Sequence, residues 1–319
     1  VTLIDTAALA VINHIDVGDT PAGVDIAADG RHAYVTLATS HVMVAIDLAE
    51  RRVVSPSIPV GDSPFGPAMG PPIVLPDSQQ PAAAFTIEHD ADLTARGFGR
   101  FVPFDGGALR LAGPWHTNRH LSLLTHGGWI DTNGFDAIVE GDVVSDGSLT
   151  KTGPGALTLC GAIEHRKDTF VLEGTLIVES RHGAPVFVDG GVLGGTGHVG
   201  TVSVKDGAIS PGARRPGVLA ADKVTLSARA ALIIDINGPV CGTDYGRLDV
   251  KATATINDAT LIARFGAALP AGTELTILTN AQGTFAGLPE GAVVTAAEEQ
   301  QARITYIGGS GRDVVLTVL

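Results

Sequence analysis

The 319-residue chain is short of the residues that many stable folds rely on. It has two cysteines, Cys160 and Cys241, which make neither a disulfide framework nor the paired spacing of a zinc site. Lysine occurs only at 151, 167, 205, 223 and 251, and 21 basic against 34 acidic side chains leave a formal charge of −13. Scattered cations on an acidic chain are the opposite of the basic stripe that a nucleic-acid partner requires. Aromatics are 5% of residues, too few for a β-sandwich core built on large inward-facing rings. No apolar run approaches the ~18–20 residues of a membrane-spanning helix. Charged residues are 17% and hydrophobic residues 45%, which is too apolar for intrinsic disorder.

What is present in excess is glycine, 41 residues, joined by 18 prolines. A glycine-rich all-β chain with small and β-branched apolar residues suits a solenoid, whose tight corners recur and whose coils stack. Repeats are therefore the first thing to seek.

Near the start, Val17-Gly18-Asp19-Thr20-Pro21-Ala22-Gly23 recurs as Val60-Gly61-Asp62-Ser63-Pro64-Phe65-Gly66, an offset of 43. Strand-like pieces Val1–Asp5 and Val42–Asp47 repeat at nearly the same offset. Strands are expected at 1–5, 11–17, 23–27 and 33–37, with Asp29-Gly30 as a hairpin turn. A period in the low forties with several short strands is the arithmetic of a β-propeller blade. The Val-Gly-Asp-Thr-Pro-Ala-Gly loop, Ala28–Arg31 and Tyr34-Val35-Thr36-Leu37 resemble the YVTN family of bacterial propeller repeats, with Leu37 in place of that family's Asn. The resemblance implies one to two blades over 1–66. Propellers need about 4–8 blades. Val1 is not a start Met and lies inside a strand, so the expectation is a fragment whose other blades lie upstream. A lone blade has no central channel, and the family's ligand-binding or lactonase-like chemistry is not carried over.

Prolines 67, 71, 72, 76 and 81 mark a linker at 67–81. Beyond it a Gly-x-Leu/Ile marker recurs at Gly107, Gly128, Gly147, Gly155, Gly174, Gly191 and Gly207. Apart from a half-step at 155, the spacings of 16–21 residues suit one coil of a parallel β-helix, each Gly relieving a corner before an alternating strand. Leu149-Thr-Lys-Thr-Gly-Pro-Gly-Ala-Leu-Thr-Leu-Cys-Gly161, running on to Leu172–Val178, resembles the autotransporter-associated β-strand repeat. Gly127–Phe135, Gly190–Gly197, Ile209–Gly212, Thr243–Val250, Gly283–Gly291, Ile304–Tyr306 and Asp313–Thr317 match the coils that flank it. That resemblance implies an all-β fold: a right-handed parallel β-helix over 82–240 with a strand-rich C-terminal cap over 241–319. It also implies an extracellular or outer-membrane-surface location in a Gram-negative bacterium. The family's usual C-terminal β-barrel is not seen before Leu319, so either it is truncated or the protein is released or anchored otherwise.

Candidate chemistry is thin. His116, His120 and His126 cluster near Trp115 and Trp129, but on a strand positions four apart lie ~13 Å apart, too far for one metal ion. Asp131, Asp136, Asp142 and Asp146 have the makings of a polysaccharide-cleaving carboxylate cluster, yet they fall in turn sequences. Gly190–Gly197 lacks the Lys-Ser/Thr of a phosphate loop. Gly308–Asp313 occurs once, where calcium-binding nonapeptides need stacked copies. No Gly-x-Ser-x-Gly elbow is present. Cys160 and Cys241 are expected as free thiols, and 296–303 as a hairpin turn with one helical turn as the alternative.

The expectation is therefore a non-enzymatic structural or adhesive segment with no catalytic, cofactor or metal residues. Its partner would be a surface protein or glycan of a host or neighbouring cell. Two rivals are a polysaccharide-cleaving β-helix enzyme and a propeller-based ligand-binding or lactonase-like module with a β-helix appendage.

Overall fold

A computed structural model describes residues 1–5, 10–26, 32–54, 58–59, 84–165, 167–295 and 300–319. The chain is all-β and divides into two compact units, Val1–Ser78 and Gln79–Leu319. The expected proline-rich linker at 67–81 lies outside the described residues, as does the Ala28-Asp29-Gly30 turn.

In the first unit Thr2–Asp5 pairs antiparallel with Ala10–His14. Pro21–Ile26, His32–Leu37, Val42–Asp47 and Arg52–Val53 form an antiparallel sheet in sequence order, and Ile58–Pro59 also pairs with Val42–Asp47. Alternation builds it: Ala33, Val35 and Leu37 point to the buried side, where they meet Ile15, Val17, Val44 and Ile46. The strand expected over 11–17 ends at His14, although Ile15 and Val17 are still buried.

In the second unit short strands pair in parallel with the strand three places further along the chain, in three ladders. On the first, Leu109 pairs with Ile130, Ile130 with Lys151 and, beyond Val171, Val188 with Val204. On the second, Ala137, Leu157, Leu176, Leu193, Ile209 and Leu232 follow one another in register. On the third, Leu121, Val143, Ile163, His182, Val199 and Ala221 do the same. Pairing offsets of 21 (Gly107 to Gly128), 19 (Leu157 to Leu176) and 16 (Leu193 to Ile209) follow the glycine spacing. The inward side chains of all three ladders join one apolar core. Each fully buried Leu, Val or Ile contributes about 1.5–3 kcal/mol, gained only because the strands paired on either side help to cover it.

The marker glycines serve the stack in two ways. Gly155 sits at φ +103°, and a Cβ there would lie 2.1 Å from the Phe135 carbonyl oxygen of the neighbouring coil. Gly128 has an ordinary φ, but a Cβ would come within 2.6 Å of the Phe104 side chain. Close approach, and not only corner geometry, therefore demands glycine there.

Parallel pairing runs on past residue 240. Arg247–Val250 pairs with Val218–Leu226, Thr260–Phe265 with Ala230–Ile236, and Ala281–Thr284 with Ala254–Asn257. The antiparallel part pairs Asp313–Val318 with both Glu274–Leu278 and Gln301–Gly308. Val293–Thr295 pairs antiparallel with Gln301–Arg303, which gives the hairpin expected near 296–303; its tip at 296–299 lies outside the described residues.

The described helix, Asp90–Ala95, was not anticipated. The Asp92 carboxylate accepts the backbone N–H groups of Glu88 and His89, at 2.8 and 2.9 Å, so the first turn is capped from within. Leu93 buries into the same core as Val102 and Leu121. Arg119 ties the helix down: Nε donates to Asp90 Oδ2 (2.9 Å), one terminal nitrogen to Thr94 Oγ1 (2.6 Å) and the other to the Phe98 carbonyl (2.8 Å). Trp115 Nε1 donates to Asp90 Oδ1 at 3.3 Å. Burial pushes the Asp90 carboxyl up, but the hydrogen bonds from Thr117, Arg119 and Trp115 together hold it below its ordinary value.

Candidate functional site

The clustered histidines separate in space. His116 lies on the second ladder, His120 opens a third-ladder strand, and His126 precedes a first-ladder strand. The chain turns between His116 and His120, so they are not positions of one strand. Each meets a carboxylate of another segment: His116 Nε2 lies 2.9 Å from Glu140 Oε1, His120 Nδ1 3.3 Å from Asp142 Oδ2, and His126 Nδ1 2.6 Å from Asp105 Oδ1. Among the described residues no group of three or more His, Cys, Asp or Glu is arranged to hold a metal ion.

The aspartates are likewise spread over the corners of the coil. Asp131 ends a first-ladder strand and accepts the Asn133 N–H at 2.9 Å. Asp136 precedes a second-ladder strand and accepts the Ala156 N–H at 2.9 Å. Asp142 precedes a third-ladder strand and accepts the Ala162 N–H at 2.9 Å. Asp146 falls in the turn after that strand. Asp136 and Asp142 each join one coil to the next, and the convergence that a carboxylate-based cleavage site needs is not found among them.

The other motifs are also structural. Gly190–Gly195 lies within the strand Val186–Gly195, whose parallel pairing shifts register around Asp189 and resumes from Val192↔Ala208 to Gly195↔Pro211. Asp313 closes the Gly308–Asp313 turn by accepting the Ser310 N–H (2.9 Å), the Ser310 hydroxyl (2.8 Å) and the Asn280 N–H (3.1 Å). Cys160 and Cys241 are free thiols.

Two features escaped the sequence reading. The first is Lys151, which occupies an inward column between Ile130 and Val171 and is 0% exposed. Its ammonium donates to Thr132 Oγ1 (2.9 Å) and to the carbonyls of Thr152 (2.8 Å), Gly153 (2.6 Å) and Glu173 (2.9 Å). Glu173 follows the strand paired with that of Lys151, so the cation ties the ends of two paired strands together. Burial pulls Lys151 down to about 8, with the Glu173 and Asp131 carboxylates pulling back the other way. His182, 1% exposed, takes the equivalent inward place on the third ladder between Ile163 and Val199.

The second is a groove of about 430 Å³ on the outer side of the second ladder. His116, Ile138, Thr158 and Ile177, one from each of four successive strands, lie along its floor. The loop Gly212–Arg215 forms a wall, and Arg214 reaches Asp136 at 2.5 Å, bridging residues 78 positions apart in the chain. The Arg214 guanidinium, helped by the Ala156 N–H, holds the Asp136 carboxyl below its ordinary range against the effect of burial. Glu179, hydrogen-bonded by the Thr196 hydroxyl, also lines the groove.

No family model matches the chain. A stretch of 73 residues, 22% of the chain, is 37% identical to an extracellular serine protease of Serratia marcescens. That stretch spans 7% of the protease's length, so the similarity is to a small part of a much longer protein.

Proposed function

We propose that the chain is a non-enzymatic extracellular segment of a Gram-negative surface protein, with a structural or adhesive role. In this reading residues from 82 onward wind as a right-handed parallel β-helix of the autotransporter-passenger type, closed by a strand-rich C-terminal cap. Residues 1–66 are part of a YVTN-type propeller array. The observation that carries the reading is the unbroken parallel pairing from Ala84–Ile87 to Ala281–Thr284, each strand resting on one from another coil. Such a column has rigidity and length but needs no chemical step. Partial similarity to an extracellular protein agrees with a location outside the cell. No described helix is long and apolar enough to cross a membrane.

The test is to display the chain on the outer surface of a non-adherent Gram-negative cell and score attachment to host cells and to neighbouring bacteria. In parallel, purified chain is incubated with a panel of polysaccharides while new reducing ends are counted. The reading predicts attachment or an extended spacer without release of reducing ends. Release above that of a heat-denatured control overturns it.

A further inference from the structure

We propose that the groove on the second ladder is a binding site for a linear oligosaccharide carrying carboxylates; this rests on the adhesive reading above and supplies its ligand. The floor offers one side chain per coil at the ~4.8 Å spacing of paired strands, so His116 to Ile177 spans about 14 Å along the stack. A chain-like ligand lying along the axis meets the same kind of contact at each step. The volume falls within the ~300–1,000 Å³ of small-molecule sites.

The lining chemistry selects among chain-like ligands. An extended peptide gains its affinity by pairing with a free strand edge. Here the strand Ala137–Val139 is already paired on both sides, with Trp115–Thr117 and with Ala156–Leu159. The inner strands of the floor therefore have no main-chain edge to extend. Nor does the floor have deep apolar anchors, because Ile177 and Trp115 are 3% and 2% exposed and the accessible apolar surface is Ile138, at 39%, with Pro114. A small apolar patch ringed by Thr158, His116, Asp136 and two arginines suits a sugar instead, with one face resting on Ile138 and its hydroxyls meeting polar side chains.

The charge selects among sugars. Glu179 is engaged by Thr196, His116 by Glu140, and Asp136 by Arg214. Arg215 is exposed at the groove wall, and among the described residues it is in no ion pair. With Arg214 matched by Asp136, Arg215 is the lining cation left to meet a ligand carboxylate, and binding is therefore read through Arg215 itself.

The experiment titrates the full chain with two linear hexasaccharides, one of uronic acid units and one of neutral glucose units, by calorimetry at low salt. The uronic acid hexamer is expected to bind, at least tenfold more tightly than the neutral one. Thr158→Trp, which fills the floor, and Arg215→Glu, an exposed substitution that leaves the fold alone, should each weaken it tenfold or more. Ser203→Trp, on the outer side of the first ladder, should leave it unchanged. Absence of binding to wild type, equal binding of the neutral hexamer, or full binding by Arg215→Glu overturns the site. Cells displaying Arg215→Glu separate this proposal from the one beneath it. Attachment that persists although the hexamer does not bind removes the groove and keeps the adhesive reading, whereas loss of all attachment by wild type removes both.

Discussion

Both units are built from short strands and glycine-rich turns, yet they bury their apolar residues differently. In Val1–Ser78 consecutive strands pair antiparallel through hairpins, and within that unit Val24 and Ile26 remain 56% and 54% exposed. In Gln79–Leu319 partners lie a whole coil apart, and almost every inward position from Ile87 to Val318 is sealed. Hairpins pair nearest neighbours cheaply in loop entropy but leave a sheet with two faces to cover. Parallel pairing instead covers each strand with a partner 16 or more residues away, and the inward side chains share one core. The lesson is that stability in the second unit is shared along the stack, so a local defect should weaken the whole unit and leave the first untouched.

That contrast sets the predictions, all read by chemical denaturation with separate probes for the two units. Gly155→Val should cost the most, about 4 kcal/mol or more, because it needs both a left-handed φ and room already taken by the Phe135 carbonyl. It should shift the second unit's transition alone; movement of the first unit's transition would break the comparison. Leu176→Ala, which opens a cavity between Leu157 and Leu193, should cost about 2–5 kcal/mol. The equivalent truncation in the first unit, Val35→Ala, should move only the first transition.

Lys151→Met should lose about 2–3 kcal/mol at neutral pH by removing the ammonium donor from Thr132 Oγ1 and from three carbonyls, of which those of Thr152 and Gly153 keep a donor in Thr132. The pH dependence sharpens this. Lys151 lies at about 8 when folded against 10.5 ordinarily, so between those values the unfolded chain binds the extra proton and stability rises with pH. Wild type minus Lys151→Met should therefore show a positive slope between pH 8 and 10. Above pH 10 Tyr245, raised to about 12 by burial first and then by Cys241, acts in the opposite sense on each protein alone and cancels in the difference. Smallest is the end of the stack. Asp90→Asn should cost about 1–2 kcal/mol at pH 7 by weakening the charge-assisted bonds from Arg119 and Trp115. Because the Asp90 carboxyl is held below 3.8, that contribution is present above 3.8 and fades as pH falls through its folded value.

The strand class was legible in the sequence because glycine spacing and period-2 alternation are local. Gly155, Gly174, Gly191 and Gly207 precede successive paired segments of one ladder, and their spacings of 19, 17 and 16 are the pairing offsets. The inward place of Lys151 was not legible, since Leu-Thr-Lys-Thr reads as an ordinary polar-faced strand until its neighbours Ile130 and Val171 are known. The helix at Asp90–Ala95 is six residues long, too short to show helical periodicity. The groove joins Asp136 to Arg214, a contact that no local pattern encodes.

The central proposal is that the second unit is one stack of coils, and a ruler along its outside tests it most directly. With Cys160 and Cys241 replaced by Ser, spin labels are placed at Trp129→Cys and, in turn, at Ser203→Cys, Thr225→Cys or Thr255→Cys. These positions lie four, five and six pairing steps along the first ladder from Trp129. Pulsed electron-resonance distances should grow by about 4.8 Å per step, to roughly 19, 24 and 29 Å. Distances that level off or shrink between Ser203 and Thr255 would contradict the stack.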